Sequence, residues 1–178
     1  MFLAVAIPVR GIVRCAYPLR TLDGDSFKVR DCVSGLIRTI DLAYIDAPEL
    51  FQVSEDHIPI GANSKDSLSA RLKTQENLKL HIVSARGRRF RALVYTSQMV
   101  NTIQVRAGHA LARPSGYLDI HFARKLKNAM SMARSQRLGM WSTTSFLSPR
   151  AFRKLEKKQR LMEIYPPYYC VPPVDKLK

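Results

Sequence analysis

Two short alternating segments, joined by a turn and bounded by acidic residues, place the strongest constraint on how this chain folds. Residues 27–30 and 37–45 alternate apolar and polar side chains as half-buried strands do, and a Ser-Gly pair at 34–35 supplies a turn between them. An Asp-Gly-Asp segment at 23–25 precedes the first strand, and Asp-Ala-Pro-Glu at 46–49 follows the second. Because a hairpin brings its two ends together, the sequence predicts a cluster of carboxylates at one edge of a sheet.

The positive charge of the chain is concentrated in one stretch. Residues 86–160 hold 17 Lys/Arg and two Asp/Glu, whereas basic and acidic residues balance in the rest of the chain. This excess accounts for the whole formal net charge of +15. A local field of that strength attracts polyanions, with nucleic acid as the first partner indicated and an anionic membrane as the second. An ordinary solvated surface explains it less well, because the excess is contiguous.

The cysteines, histidines and N-terminal residues indicate few further features. Cys15, Cys32 and Cys170 contain no CxxC pair, and the four histidines have no metal spacing, so neither a zinc site nor a full disulfide framework is predicted. Residues 1–9 are apolar but too short to span a bilayer, and they lack the basic start of a signal peptide. We expect a strand or ordered tail there, no stable membrane span, and a cytoplasmic chain. A truncated export signal is the alternative.

The remaining elements predict the fold class. Strand patterns occur at 11–16, 80–83 and 90–95, and helix patterns begin near 61–64, near 100 and near 119. Five strands with helices after the third and fifth predict an α+β fold that is mainly a closed, five-stranded OB-like barrel with three helices. Residues 150–160 predict a basic C-terminal helical extension. We expect one domain over residues 1–155, followed by a basic and then Pro- and Tyr-rich tail over 156–178.

Six segments of the chain resemble the staphylococcal-nuclease-like (thermonuclease) family, in the family's order and approximate spacing. Asp-Gly-Asp alone is a weak signal, but six segments in order are typical of the family fold, an OB-like barrel with three helices. Together they extend over about residues 10–155. They are residues 23–27, 45–49, 87–95, 100–110, 138–142 and 148–154.

The resemblance implies calcium-dependent hydrolysis of phosphodiester bonds in DNA and/or RNA, without strong sequence preference, by a chain that we expect to be monomeric. Calcium, or another divalent metal, would be held by Asp25, Asp46 and the carbonyl of Ala47. Glu49 matches the glutamate that acts as general base or positions the attacking water, and Arg89 matches the second active-site arginine. Such residue types suit the chemistry, since calcium takes oxygen ligands, a carboxylate accepts a proton, and a guanidinium stabilises a phosphate's growing charge.

Asp41 departs from the family pattern, because it lies where the family has its first active-site arginine. Arg38, Arg88 or Arg91 could supply the missing guanidinium, and we favour Arg91 or Arg88, since Arg38 is three residues from Asp41 on a strand and points to the opposite face. Alternatively, Asp41 joins the metal ligands. The third alternative is that hydrolysis is lost and the chain is a catalytically inactive nucleic-acid-binding module.

The sequence also predicts which residues contact the substrate. The arginine cluster around Gly87 is the segment best suited to phosphate contact, and an aromatic residue that follows the short helix matches a family position that flanks the substrate and could stack on a base. The basic faces of residues 124–137 and 150–160 would follow the backbone of a longer polynucleotide without reading its sequence. The predicted substrate-binding residues are Arg86, Arg88, Arg91 and Tyr117.

Overall fold

The computed structural model describes residues 13–113 and 120–164, with side chains for 14–113 and 120–159. Seven strands, four α-helices and one 3₁₀ helix, at Gly139–Ser142, are found in these residues. The strands are β1 (Val13–Thr21), β2 (Ser26–Asp31), β3 (Ile37–Leu42), β4 (Ile45–Asp46), β5 (Leu78–Arg86), β6 (Arg89–Tyr95) and β7 (Leu111–Ala112). The helices are α1 (Ile60–Lys73), α2 (Val100–Arg106), α3 (Ile120–Ser135) and α4 (Pro149–Ile164).

Five of the strands close into a barrel in the order β1-β2-β3-β6-β5. Neighbouring strands are antiparallel except β3 and β6, which pair in parallel. Alternate side chains of these strands point inward, so Phe27, Ile40, Leu80 and Val94 are buried in one core. The predicted α+β class and the five-stranded OB-like barrel are therefore confirmed.

The second strand of the predicted hairpin is shorter than expected. The alternation of residues 37–45 predicted one continuous strand, which is wrong, because β3 ends at Leu42. Tyr44 adopts a left-handed conformation, with φ of 65°, and this turns the chain out of the barrel. Ile45 and Asp46 then pair with β7 instead, and this short second sheet holds Asp46 beside the barrel end.

The helices agree with the predicted pattern of three plus an extension. The extension, α4, runs to Ile164, beyond the predicted end at residue 160, and it crosses residue 155 without a break. The division into residues 1–155 and 156–178 stays a prediction. No helix within residues 13–113 and 120–164 is long and apolar enough to cross a membrane. The expectations for residues 1–9 and for the chain after Ile164 lie outside the described residues.

A disulfide joins Cys15 of β1 to Cys32, just after β2, with 5.4 Å between the Cα atoms. The antiparallel register brings the two together, because Ala16 is the ladder partner of Asp31. The spacing of the cysteines alone gives no strand register, so the sequence analysis did not predict this bond. It closes the first hairpin of the barrel covalently.

Candidate active site at the barrel edge

The Asp-Gly-Asp segment forms the turn that delivers Asp25 to the edge of the barrel. The carboxylate of Asp23 accepts hydrogen bonds from the backbone N–H of Asp25 at 3.0 Å and of Ser26 at 2.7 Å, and from the Ser26 hydroxyl at 2.7 Å. These bonds are typical of an Asx turn. The role of Asp23 is therefore to shape the turn.

Gly24 is held against the helices behind this turn. Its carbonyl accepts a hydrogen bond at 2.9 Å from the buried amide of Gln104 on α2. A Cβ at this position would lie 1.9 Å from the hydroxyl oxygen of Ser64 and 2.8 Å from the Cβ of Ala47. The position therefore requires glycine, and the close approach fixes Asp25 relative to α1, α2 and the loop after β4.

Asp25 reaches across the barrel edge to the second group of acids. Its carboxylate accepts a hydrogen bond of 2.8 Å from the backbone N–H of Ala47. Burial raises the pKa of Asp25 well above its usual value, and the negative charges of Asp23 and Asp46 raise it further, against the opposing effect of the Ala47 hydrogen bond. The edge therefore holds negative charge that a bound cation would stabilise.

Glu49 is positioned through its backbone. Its N–H donates to the side-chain oxygen of Gln52 at 3.2 Å, while the Gln52 amide donates at 2.6 Å to the carbonyl of Leu147. The start of α1 packs directly on this loop, since a Cβ on Gly61 would lie 1.7 Å from the Glu49 carbonyl oxygen. Gln52 is fully buried, so it fixes both Glu49 and the chain that leads into α4.

Arg153 of α4 bridges the two acids that follow β4. One terminal nitrogen of its guanidinium donates to Glu49 at 2.5 Å, and the other donates to both oxygens of Asp46 at 2.9 and 3.1 Å. Arg113 donates to the same Asp46 carboxylate at 3.1 Å. The contact of Arg153 with these two acids was not predicted from the sequence, although Arg153 belongs to the 148–154 segment of the family resemblance. Nothing local in the sequence indicates that its side chain turns back to the barrel.

Asp41 forms an ion pair with the arginine predicted to act on the phosphate. Its carboxylate accepts a hydrogen bond of 2.7 Å from Nε of Arg89, and this bond raises the pKa of the arginine. The pairing follows from the parallel β3–β6 ladder, in which Thr39 opposes Arg89 and Asp41 opposes Arg91. The other oxygen of Asp41 is buried and has no hydrogen-bond partner among the described residues.

The three predicted substrate arginines lie on or near the hairpin of β5 and β6. Arg86, Arg88 and Arg91 are exposed, and none of them forms an ion pair with a described residue. Arg38 lies on the other face of β3, with its guanidinium 5.1 Å from the centre of the Phe90 ring. Tyr117 lies outside the described residues.

The oxygen groups at this edge are of the kind that a hard divalent cation prefers: the carboxylates of Asp25 and Asp46 and the carbonyl of Ala47. Because burial raises the pKa of Asp25, a cation beside it would stabilise the charged form that burial disfavours. Within residues 13–113 and 120–164, however, no three His, Cys, Asp or Glu side chains are grouped to hold a metal ion. Both oxygens of Asp46 contact arginines, so a cation would compete with Arg153 and Arg113 for this carboxylate.

A closed OB-like barrel with carboxylates and arginines at one edge defines a nuclease-like or nucleic-acid-binding domain. The sequence model of the family described as staphylococcal nuclease homologue matches residues 39–143, more than half of the chain, and the chain belongs to this family. The match includes Glu49 and Arg89 but not Asp25 or Arg153, whose places at the edge come from the structure. No curated protein matches the chain significantly.

Proposed function

We propose that the protein is a metal-dependent nuclease that hydrolyses phosphodiester bonds in DNA and/or RNA without strong sequence preference, and that calcium is its metal, with another divalent ion as the alternative. The observation that carries the proposal is the contact of Arg153 with both Glu49 and Asp46, beside the Asp25–Ala47 hydrogen bond. Phosphodiester hydrolysis needs carboxylates and a guanidinium side by side, and this edge supplies both.

Three groups would hold the metal: the carboxylates of Asp25 and Asp46 and the carbonyl of Ala47. A bound divalent ion supplies Lewis-acid stabilisation of the phosphate charge and lowers the pKa of a bound water. The residues that surround the metal ligands hold those ligands in position. Gln104 and Asp23 fix the turn that carries Asp25, so this ligand has little conformational freedom to lose.

Glu49 would accept the proton of the attacking water or hold that water in place. Its side chain is about one-third exposed, at 34%, so water reaches it from the solvent side. Its backbone is fixed by Gln52 and by the close packing of Gly61. A carboxylate with a rigid backbone and an open face is suited to general-base catalysis.

Arg153 would take the place of the missing first arginine. Arg89 keeps two terminal nitrogens for a phosphate, but its Nε is engaged by Asp41. The guanidinium of Arg153 is 40% exposed and already lies at the carboxylates, so an incoming phosphate oxygen can compete for its N–H groups. In the free protein this arginine balances the charge of Asp46 and Glu49. In the complex it would stabilise charge on the phosphate.

The direct test is cleavage of labelled single- and double-stranded DNA and RNA, with calcium or with a chelator. We expect cleavage of several unrelated sequences, loss of activity with the chelator, and a fall of about two to three orders of magnitude for Glu49→Gln. Absence of cleavage with every divalent metal tried would overturn the proposal.

The second candidate is an inactive module that binds nucleic acid, and the Asp41–Arg89 ion pair favours it, because it places a negative group beside the arginine meant for the phosphate. This candidate predicts salt-sensitive binding of oligonucleotides that is unchanged in Glu49→Gln, with no cleavage. The same cleavage assay therefore separates the two candidates.

A further inference from the structure

A second basic surface lies at the far end of β6 from Arg89. Tyr95, the last residue of β6, is six residues from Arg89, so the two are about 20 Å apart along the strand. Here α2 and α3 border a groove of about 730 Å³, and no acidic side chain is among the described residues that line it. Its lining includes Arg71, Tyr95, Met99, Ile103, Arg106 and Lys125.

The groove continues along α3. An adjoining cavity of about 340 Å³ shares Arg106 and Lys125 with it and adds His121 and Arg124, and its described lining again includes no acid. Because the two cavities share these side chains, they are neighbours, and we term the two together the α2–α3 groove. No residue that lines it belongs to the candidate active site.

The cations of the α2–α3 groove lack counter-charges. Arg71, Arg106, Arg124 and Lys125 form no ion pair with any residue in the described part of the chain. Nε of Arg71 is buried without a hydrogen-bond partner among the described residues, and burial lowers the pKa of this arginine. A buried guanidinium nitrogen without an acceptor is unfavourable, and cations without ion-pair partners among the described residues are suited to an anionic ligand.

The shape and the apolar side chains of the groove indicate which kind of anion it binds. It is concave, whereas a membrane surface is met by a protruding basic face. Tyr95 lies in it beside Met99 and Ile103, so a flat aromatic base or a sugar has apolar contacts while phosphates meet the arginines. Inorganic phosphate alone would leave those apolar contacts unused.

We propose that the α2–α3 groove binds the phosphodiester backbone of a nucleic-acid strand, as a second contact site about 20 Å from Arg89 along β6. The identity of the anion rests on the proposed function. A strand that reaches both places would bind more tightly than a short substrate that reaches only one, because the second contact is then intramolecular. The groove would thereby favour long polynucleotides over short ones.

The test compares two pairs of substitutions in the full chain. Arg106→Gln with Lys125→Gln removes two exposed charges from the groove, and Lys73→Gln with Lys79→Gln removes two exposed charges outside both the groove and the basic faces of residues 124–137 and 150–160. Binding of a fluorescein-labelled single-stranded 20-mer is measured by anisotropy in chelator at several salt concentrations. We expect at least a tenfold loss of affinity for the groove pair and less than threefold for the control pair. The salt slope of the groove pair should fall by about 1.4, for two lost phosphate contacts.

A footprint gives an independent measurement. In the wild-type protein, the 20-mer should protect Lys125 but not Lys79 from acetylation. The proposal would be overturned if both double variants lost the same affinity for the 20-mer, or if the 20-mer left Lys125 unprotected. It would also be overturned if the groove double variant lost only its binding to phosphatidylserine vesicles. All four side chains are exposed, and thermal unfolding verifies that both pairs are folded.

A short substrate distinguishes failure of the proposed nuclease function from failure of the groove proposal. Bis(p-nitrophenyl) phosphate is too short to span both places, so the groove pair should cleave it at the wild-type rate while it cleaves long DNA more slowly. A wild-type protein that cleaves neither substrate defeats the nuclease proposal alone. A groove pair with normal affinity for the 20-mer defeats the groove proposal alone.

Discussion

Arg153 on α4 donates a hydrogen bond of 2.5 Å to the carboxylate of Glu49, 104 residues earlier in the chain. The same guanidinium contacts Asp46 at 2.9 Å, so one arginine spans the proposed base and a proposed metal ligand. Since α4 lies after residue 143, where the family match ends, the site depends on a helix outside that match.

Replacing Arg153 by Gln tests whether this arginine acts on the phosphate. We expect cleavage of DNA to fall by about two orders of magnitude, because a preorganised donor to the transition state is lost. Arg150→Gln, an exposed position on the same helix, is the matched control on bis(p-nitrophenyl) phosphate, a substrate too short to follow the basic face of residues 150–160, and should cleave it within about twofold of the wild type. Higher activity in Arg153→Gln would instead show that this arginine inhibits cleavage by occupying the carboxylates of Asp46 and Glu49.

Replacing Asp41 by Asn should release Arg89. We expect nuclease activity to rise, by up to about tenfold, since the Nε of Arg89 no longer donates to a carboxylate and becomes available to a phosphate. Stability should change by less than about 1 kcal/mol, because the pair is partly exposed, with Arg89 62% exposed. Steady-state cleavage and thermal unfolding measure the two effects.

Asp41→Arg is the companion variant, since it restores the family's residue. A rise in activity agrees with a weakened nuclease. If Asp41→Asn and Asp41→Arg both cleaved DNA more slowly, and calorimetry showed weaker calcium binding, Asp41 would be a metal ligand. Asp66→Asn, at an exposed carboxylate on α1, controls for the general loss of a negative charge.

The local parts of the fold were predictable from the sequence, and the contacts made by distant residues were not. The alternation at 27–30 gave a barrel strand, because strand period and burial are local properties. The ion pair between Asp41 and Arg89 depends on which strand lies beside β3, and the parallel β3–β6 pairing leaves no mark in either segment.

Arg153 and the Cys15–Cys32 disulfide illustrate the same limit. The basic pattern of residues 150–160 predicted a helical extension whose basic face follows a polynucleotide backbone, yet one of its arginines contacts the barrel edge. The disulfide needs the register between β1 and β2, which the cysteine spacing does not provide. Tyr44 is a third case, since a left-handed tyrosine interrupts an otherwise regular alternation.

The Cys15–Cys32 disulfide should stabilise the fold, because it restrains a segment with a sequence separation of 17 in the unfolded chain. For a loop of this size the effect is about 3 kcal/mol, and reduction should lower the Tm by about 6–12 °C. Calorimetry with and without dithiothreitol measures it. The double variant Cys15→Ala with Cys32→Ala should melt near the reduced wild type, and its Tm should not respond to the reductant. An equal response in both proteins would contradict this assignment.

Asp31 should make the stability depend on pH in an acidic window. The carboxylate is buried and accepts hydrogen bonds from the backbone N–H groups of Val33 and Ser34 and from the guanidinium of Arg14. Its pKa is lowered from 3.8 to about 2. The bond from the Ser34 backbone is the largest cause. A carboxylate with a lowered pKa stabilises the fold above its unfolded pKa, and this contribution disappears as the pH falls from about 4 to about 2.

The substitution Asp31→Asn isolates that contribution. The shift corresponds to at most about 2 kcal/mol at neutral pH, so the variant should be less stable than the wild type by up to this amount at pH 7. The difference should shrink steadily below pH 4 and be mostly lost near pH 2, where about half of the wild-type carboxylate is protonated. Urea unfolding of both proteins between pH 2 and pH 7 gives the curve. Asp66→Asn, at an exposed carboxylate on α1, is the control and should change the stability at pH 7 by less than about 0.5 kcal/mol. A difference between Asp31→Asn and the wild type that stays constant down to pH 2 would show that the hydrogen-bond geometry, and not the charge, stabilises this turn.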